Sequence, residues 1–309
     1  MTVSTTPVDH VTVIANPHSR QGAGRRIAHR AVGALRSLGV GHELVLTADA
    51  AHVLEAAGTA ARGGTGALAA CGGDGTLRLV LEGSFGSGTP IGVIPAGHGN
   101  DLARHLDIPI DDPDAAVAVI VAGHRRTVDL GRVTFPDGTS SLFASVAATG
   151  FDALVAAKSL RMSWPRGQFR FPIATLRSMN VLDSRHYYVR VDEEHSEHDL
   201  MFATIGNANS YGAGMRVTPD ASMEDGMLDV TLAGPPRRFA RLTMARNLPR
   251  MYSGRHIEHS RVTTLRGREV ELYCDPPAPV SVDGDVVGHL PAVFEIVPAA
   301  VEMLTHPDD

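Results

Sequence analysis

The sequence predicts a two-domain protein of α/β + β class: an α/β domain followed by an antiparallel β-sandwich domain. Three observations predict it. Up to about residue 122, short β-branched or apolar runs alternate with helical patterns, the signature of βαβ units on a parallel sheet. From about Val128 strand-like segments dominate, and a run of strands after a βα region indicates a second, sandwich-like domain. Third, glycine-bearing turns follow three of the first-domain strands, where a parallel sheet collects its ligands.

Taken in order, residues 11–15 form a β-branched strand, 24–38 a helix, 42–46 a strand, 48–62 a helix, and 67–70 a buried strand. Residues 76–82 then open a helix, 91–94 make a fourth strand, and helices follow near 100–106 and 113–122. The second part reads as strands at 128–135, 141–149, 186–192, 200–206, 227–233, 269–274, 279–282 and 293–297. Helical intervals fall near 152–180 and 236–252. The boundary lies in the 124–131 stretch, giving domains 1–130 and 131–298, with 299–309 free to pack back on the first. No internal repeat or low-complexity tract interrupts this pattern.

Composition narrows the function. The 309 residues are 43% hydrophobic, enough for sizeable cores. A net charge of −6 argues against nucleic acid as main partner, because binding phosphate by bulk charge needs a basic surface. Two cysteines, Cys71 and Cys274, form no disulfide framework and no CxxC pair, as expected of a reducing cytoplasm. The first residues, "MTVSTTPVDHVTV", lack the basic and apolar regions of a signal peptide. The longest apolar runs, such as 115–122, fall far short of a membrane span. The expectation is a soluble, cytoplasmic chain. Its single lysine is Lys158, and residues 152 and 157 are Asp and Ala, so a Walker A loop is absent. The lysine–glutamate pair and HRD loop of protein kinases are not readable either.

The three turns carry the chemistry. They are "NPHSRQGAGRR" at 16–26, "GGDGT" at 72–76 and "PAGHGND" at 95–101. Glycines there leave backbone N–H groups free to face phosphate oxygens, and the following helices point positive ends at the same place. Any one of them alone could be a plain strand-to-helix link, since glycine punctuates loops everywhere. Three together, carrying Asn16, Asp74, Thr76, Asn100 and Asp101, point to one phosphate site.

"GGDGT" followed by "PAGHGNDLARHL" resembles the diacylglycerol kinase catalytic-domain family of lipid kinases, and "NPHSRQGAG" resembles that family's first nucleotide loop. The resemblance resumes in "GNANSYGAGMRVTPDASMEDGMLDV" at 206–230 and "SVDGDVVGHLPAVFEIVP" at 281–298, in the expected order along the chain. NAD kinases and phosphofructokinases carry turns related to GGDGT, but the Asn-Asp turn and the 206–230 block are those of lipid kinases. The resemblance implies an NAD-kinase-like nucleotide-binding domain, ATP and Mg²⁺ as cofactors, and phosphorylation of a lipid hydroxyl, diacylglycerol or a related lipid, within phospholipid biosynthesis. Asn16, Ser19 and Arg20 would reach ATP, Gly72, Gly73, Gly75 and Thr76 would cradle its phosphates, and Gly97, His98 and Asn100 would complete the site.

Asp74 and Asp101 match the carboxylates that hold catalytic Mg²⁺ in the family, an ion that takes one or two carboxylates beside phosphates. Asp101 could instead cap the helix that starts at Leu102. Bacterial relatives place a general-base glutamate in a late DGE turn. The matching residues here are Asp283, Gly284 and Asp285, so the base would be Asp285, one methylene shorter. Asp-Gly is equally a plain hairpin signal, and Asp74 is the rival base, as in eukaryotic relatives. His98 stands where the family has Thr or Ser; an imidazole also donates to phosphate but titrates near neutral pH.

Two further segments have double readings. "SMEDGM" at 222–227 resembles a structural metal site, with the Asp225 carboxylate and the carbonyls of Ser222 and Met227, or is an acidic turn before a strand. Residues 159–179 interleave Arg161, Arg166, Arg170 and Arg177 with Trp164, Phe169 and Phe171. That suits transient contact with a membrane surface, or a helix with one buried face. The fifteen histidines show no HExxH or paired metal spacing. The resulting expectation is an ATP- and Mg²⁺-dependent lipid kinase, monomer or homodimer. Its alternatives are an NAD kinase-like small-molecule kinase and a nucleotide-binding regulator without turnover.

Overall fold

In the second strand of the chain, HVTVIA, alternate residues face opposite sides and both sides are apolar beyond Thr12. Such a strand belongs in the middle of a sheet covered by helices on both faces. The structure, a computed structural model, describes residues 4–151, 153, 155, 184–212, 214–235 and 249–307. It divides into two units: 1–128 with 299–309, and 129–298.

In the first unit, strand β1 (Ser4–Thr5) leads into β2 (His10–Ala15), helix α1 (Ser19–Ser37), β3 (Gly41–Leu46) and α2 (Ala50–Arg62). Then come β4 (Ala67–Gly72), α3 (Asp74–Ser84), β5 (Ile91–Pro95), α4 (Asp101–His105) and α5 (Pro113–Ala122). The parallel order is β3-β2-β4-β5. One face buries Val11, Val13 and Ala15 of β2 against Ile27, Ala31 and Leu35 of α1 and Val117 and Ile120 of α5. On the other face α2 packs on α3 so closely that a methyl on Gly83 would stand 2.5 Å from the Leu54 carbonyl oxygen. Starts are set by caps: Asp49 accepts the His52 N–H, and Asp112 accepts the Asp114 N–H with Pro113 in the first turn of α5.

Two strands pass from one unit to the other, β6 (His124–Thr134) and β17 (Ala292–Leu304). The end of β17 pairs parallel with β5 through Met303 and Ile91, and Leu304 joins the first core. Residues 299–309 thus belong to the first unit.

The second unit contains β7 (Ser140–Phe143), β8 (Val146–Gly150), β9 (Arg185–Val191), β10 (Glu194–Leu200), β11 (Phe202–Gly206) and β12 (Leu228–Ala233). It continues with β13 (Val262–Gly267), β14 (Glu269–Asp275), β15 (Pro279–Val282) and β16 (Asp285–His289). One sheet is antiparallel in the order β13-β12-β11-β8-β15-β16; the other runs β10-β9-β14-β17 with β6 and β7 beside it. Tyr187, Val189, Leu272 and Phe294 of one meet Ile205, Val230, Val280 and Val282 of the other in a continuous core. This is the antiparallel sandwich.

Several boundaries differ from the sequence reading, each for a local reason. The predicted strand 141–149 is two strands, because residues 144–146 turn their N–H groups to the Asp283 carboxylate instead of a neighbouring strand. β10 escapes detection because EHSEHDL has no apolar alternation and lies at a sheet edge. β13, half exposed, and β16 are missed similarly. The predicted helical intervals 152–180 and 236–252, and with them the arginine–aromatic stretch 159–179, lie almost wholly outside the described residues. Among the described residues no helix is long and apolar enough to cross a membrane.

Candidate functional site

Because β2, β4 and β5 are adjacent and parallel, the three turns that follow them share one edge of the first unit's sheet. Backbone bonds stitch them together. The Asn16 N–H donates to the Cys71 carbonyl at 3.1 Å, and the Ala96 N–H to the Gly72 carbonyl at 2.7 Å. The second and third turns touch at their backbones. A methyl on Gly97 would stand 2.4 Å from the Gly73 Cα, and one on Gly73 would stand 3.1 Å from the Gly97 Cα. Glycine is required at 97 for turn to meet turn, before any ligand is considered. Thr76 is buried with its side chain over Gly72, and Gly75 lies in the first turn of α3.

Asn100 adopts a left-handed conformation at φ 51° and is buried. Its Oδ1 accepts the Gly97 N–H at 2.9 Å and its Nδ2 donates to the Gly97 carbonyl at 3.2 Å. It closes the third turn. The start of α4 is capped from outside: Asp74 Oδ1 accepts the Asp101 N–H at 2.7 Å and reaches the Leu102 N–H at 3.4 Å. The cap expected of Asp101 therefore comes from Asp74. Asp101 itself is buried, and its Oδ2 and the Asp74 Oδ2 each lie 2.9 Å from the point where a Gly99 Cβ would stand. The two oxygens are thus no more than twice that distance apart. His98 is exposed beside them.

The first turn is bent. Arg20, Gln21 and Gly22 have φ of 49°, 61° and 93°, three left-handed residues in a row inside the first turns of α1. For the two that carry side chains this costs roughly 1 kcal/mol or more each. The Asn16 Oδ1 accepts the His18 N–H at 3.0 Å and its carbonyl accepts the Ser19 N–H at 3.2 Å. Arg20 reaches Asp111 at 3.1 Å.

In the second unit, Asp283 and Gly284 have φ of 47° and 93° and join β15 to β16 as a two-residue hairpin. The hairpin reading of Asp-Gly is what the structure contains, and Asp285, half-buried, is the first residue after it. Asp283 holds this turn in place. Its carboxylate accepts the N–H groups of Ala144, Ser145 and Val146 at 2.8, 2.9 and 3.1 Å. The neighbouring Asn207, fully buried, donates to the carbonyls of Asp129 and Ala144. The sequence reading missed Asp283, Asn207 and Asp129 as anchors; Asp283 and Asn207 lie inside longer motifs, and Asp129 lies in a strand that carries none.

Ser222, Asp225 and Met227 lie in one turn, with Asp225 Oδ1 accepting the Met227 N–H at 3.0 Å and Ser222 Oγ accepting the Glu224 N–H at 3.4 Å. Asp225 is also ion-paired with Arg266, which reaches Asp229 at 3.5 Å. Burial pushes the Asp229 carboxyl up, against the pull of Arg266 and with the push of Asp225 and Asp220. Asp129 Oδ2 accepts the Gly226 N–H at 2.8 Å. Among the described residues no three His, Cys, Asp or Glu side chains are gathered to hold a metal.

Comparison with known proteins decides the family. Residues 10–133 match the diacylglycerol kinase catalytic domain, and residues 145–305 match the YegS C-terminal NAD kinase beta sandwich-like domain. A Mycobacterium tuberculosis protein named diacylglycerol kinase is 37% identical over 298 residues, 96% of this chain and 95% of the relative. The chain belongs to the diacylglycerol kinase catalytic-domain family. Within this family, a diacylglycerol kinase of Bacillus subtilis is 27% identical over 82% of this chain and 81% of its own length. A crystal structure described as a diacylglycerol kinase from Bacillus anthracis shares the fold at a TM-score of 0.73 and 16% identity, covering 98% of each chain.

Proposed function

We propose that the protein transfers the γ-phosphate of ATP to a lipid hydroxyl, with diacylglycerol or a related lipid as acceptor. The observation that carries this reading is the convergence of Asp74 and Asp101 beside Gly99, on the edge where three turns meet. Two carboxylates so placed fit Mg²⁺, which prefers oxygen ligands and takes few from protein. When bound, the ion would neutralise developing charge on the transferred phosphoryl group.

The chain's own groups divide the remaining work. Backbone N–H groups at the start of α3 face anionic oxygen, favoured by the helix dipole. Asn16, Ser19 and Arg20 reach the nucleotide from the first turn, and His98 and Asn100 flank it from the third. The proton of the attacking hydroxyl goes to Asp285. Asp74 fits that role less well, since its Oδ1 already accepts N–H groups of α4. The mycobacterial relative's name supports diacylglycerol as the acceptor class. The lipid would be met at a membrane surface, with the protein bound peripherally from the cytoplasm.

The test is transfer of labelled γ-phosphate from ATP with Mg²⁺ to mixed micelles of diacylglycerol, sphingoid base or phosphatidylglycerol, with NAD in parallel. Label in a lipid fraction, lost in Asp74→Asn, is the expected result. Label in NAD alone would replace the lipid with a dinucleotide. ATP binding without transfer to any acceptor would make the protein a nucleotide-binding regulator.

A further inference from the structure

We propose that Asp111 is a positioning residue for Arg20, fixing the guanidinium of the first turn where it can meet a nucleotide phosphate. The inference rests on the nucleotide site proposed above and adds to it a residue outside all three turns. Its starting point is the backbone. Arg20 and Gln21 occupy left-handed conformations that favour glycine, and a chain keeps such a conformation only where its surroundings hold it.

Bonds within the turn hold part of it: the Gly22 N–H donates to the His18 carbonyl at 3.3 Å and the Ser19 N–H to that of Asn16. The tie from this bend to another element is Arg20 Nη2 to Asp111 Oδ1, at 3.1 Å. Asp111 lies in the connection between α4, the helix that begins with Asp101, and α5. The next acids along that connection, Asp112 and Asp114, are already engaged by Arg30 of α1 at 3.1 and 2.9 Å. Of these three neighbouring acids, Asp111 is the one that meets the loop.

The pair is monodentate. One guanidinium nitrogen meets Asp111 while the side chain keeps 40% of its surface exposed. Arginine carries five N–H donors in a fixed fork, so the rest of the fork can bind phosphate without releasing Asp111. An exposed ion pair of this kind is worth a few-fold in affinity at most. Its effect is orientational and falls on nucleotide binding, so kcat is left alone.

The experiment measures the Kd of Mg-ATP for wild type, Asp111→Asn, Asp111→Glu, Arg20→Ala and the double variant Asp111→Asn/Arg20→Ala, with melting temperatures alongside. At 75% side-chain exposure Asp111 can be replaced without disturbing the fold. Asp111→Asn should raise Kd about three- to fivefold at unchanged kcat, and Asp111→Glu should restore it. The double variant should bind no more weakly than Arg20→Ala alone, because Asp111 acts through Arg20. Unchanged or tighter binding by Asp111→Asn, or effects that simply add in the double variant, would overturn the proposal and leave the nucleotide site standing. Failure of the wild type to bind Mg-ATP would remove the nucleotide reading itself, and this proposal with it.

Discussion

Asp74 and Asp101 are joined by a hydrogen bond that belongs to both turns: the Asp101 backbone N–H donates to the Asp74 carboxylate at 2.7 Å. One oxygen of Asp74 fixes the start of α4, and the other converges with Asp101 Oδ2 beside Gly99. Architecture and charge can therefore be separated by substitution. Asp74→Asn keeps a carbonyl oxygen to cap α4 and should melt close to wild type. It removes the charge that would hold Mg²⁺, so turnover should fall on the order of a hundredfold or more. Asp74→Ala should lose both, adding roughly 1 kcal/mol of destabilisation for the missing cap. Equal melting of the two variants would show that the cap contributes nothing.

The contact between Gly73 and Gly97 gives an ordering of two alanine substitutions. A Cβ on Gly97 would stand 2.4 Å from backbone, nearer than atoms approach, whereas one on Gly73 would meet the opposite Cα at 3.1 Å. Gly97→Ala must therefore push the turns apart, at about 1–3 kcal/mol by the usual cost of overpacking. Gly73→Ala should cost less. Chemical denaturation of both variants checks the order, and nucleotide affinity should fall in the same sequence.

Signals held within one stretch of chain are legible in the sequence, and those that join distant stretches are not. β2, β4 and β5 were legible as short apolar runs, and the turns after them announced the site through their glycines. Why the glycines are there was not legible: the approach of Gly73 to Gly97 joins residues from two separate βα units. The Asp74 cap of α4 was hidden for the same reason. Asp49 and Asp112 cap the helices they precede, so sequence shows them; a cap from 27 residues away leaves no local trace. β10 was invisible because an exposed edge strand need not alternate.

His186 gives the fold a pH dependence. Its Nδ1 lies 3.1 Å from Asp199 and its Nε2 3.2 Å from Glu197, so both bonds are made only by the imidazolium. The bond to Asp199, then that to Glu197, raises the pKa above the ordinary 6.5. A raised folded-state value means the stabilisation is fully present below about 6.5 and is lost as pH rises through the folded pKa. The ring is exposed, so the effect is small and screened by salt. The melting-temperature gap between wild type and His186→Gln should be larger at pH 5.5 than at pH 9, and should shrink in high salt. A gap independent of pH would mean that the ring is held by its edge contact with Tyr188 instead.

The Asp283–Gly284 hairpin separates a positioning carboxylate from a reacting one. Asp283 satisfies three backbone N–H groups that interrupt the strand between β7 and β8. Without its carboxylate those donors are left unpaired, so Asp283→Ala should destabilise by roughly 2–4 kcal/mol. Asp283→Asn keeps one acceptor oxygen and tolerates the left-handed backbone, and should fall between. Asp285, by contrast, follows the turn and is proposed to take the proton of the lipid hydroxyl. Asp285→Asn should lower the melting temperature less than Asp283→Ala does, while turnover drops by about two to four orders of magnitude, the usual contribution of a general base. The same drop in turnover at pH 9, where a hydroxyl loses its proton more readily, should be smaller. Full activity in Asp285→Asn at neutral pH would transfer the base role to Asp74, and that reassignment could be checked directly in the Asp74→Asn variant.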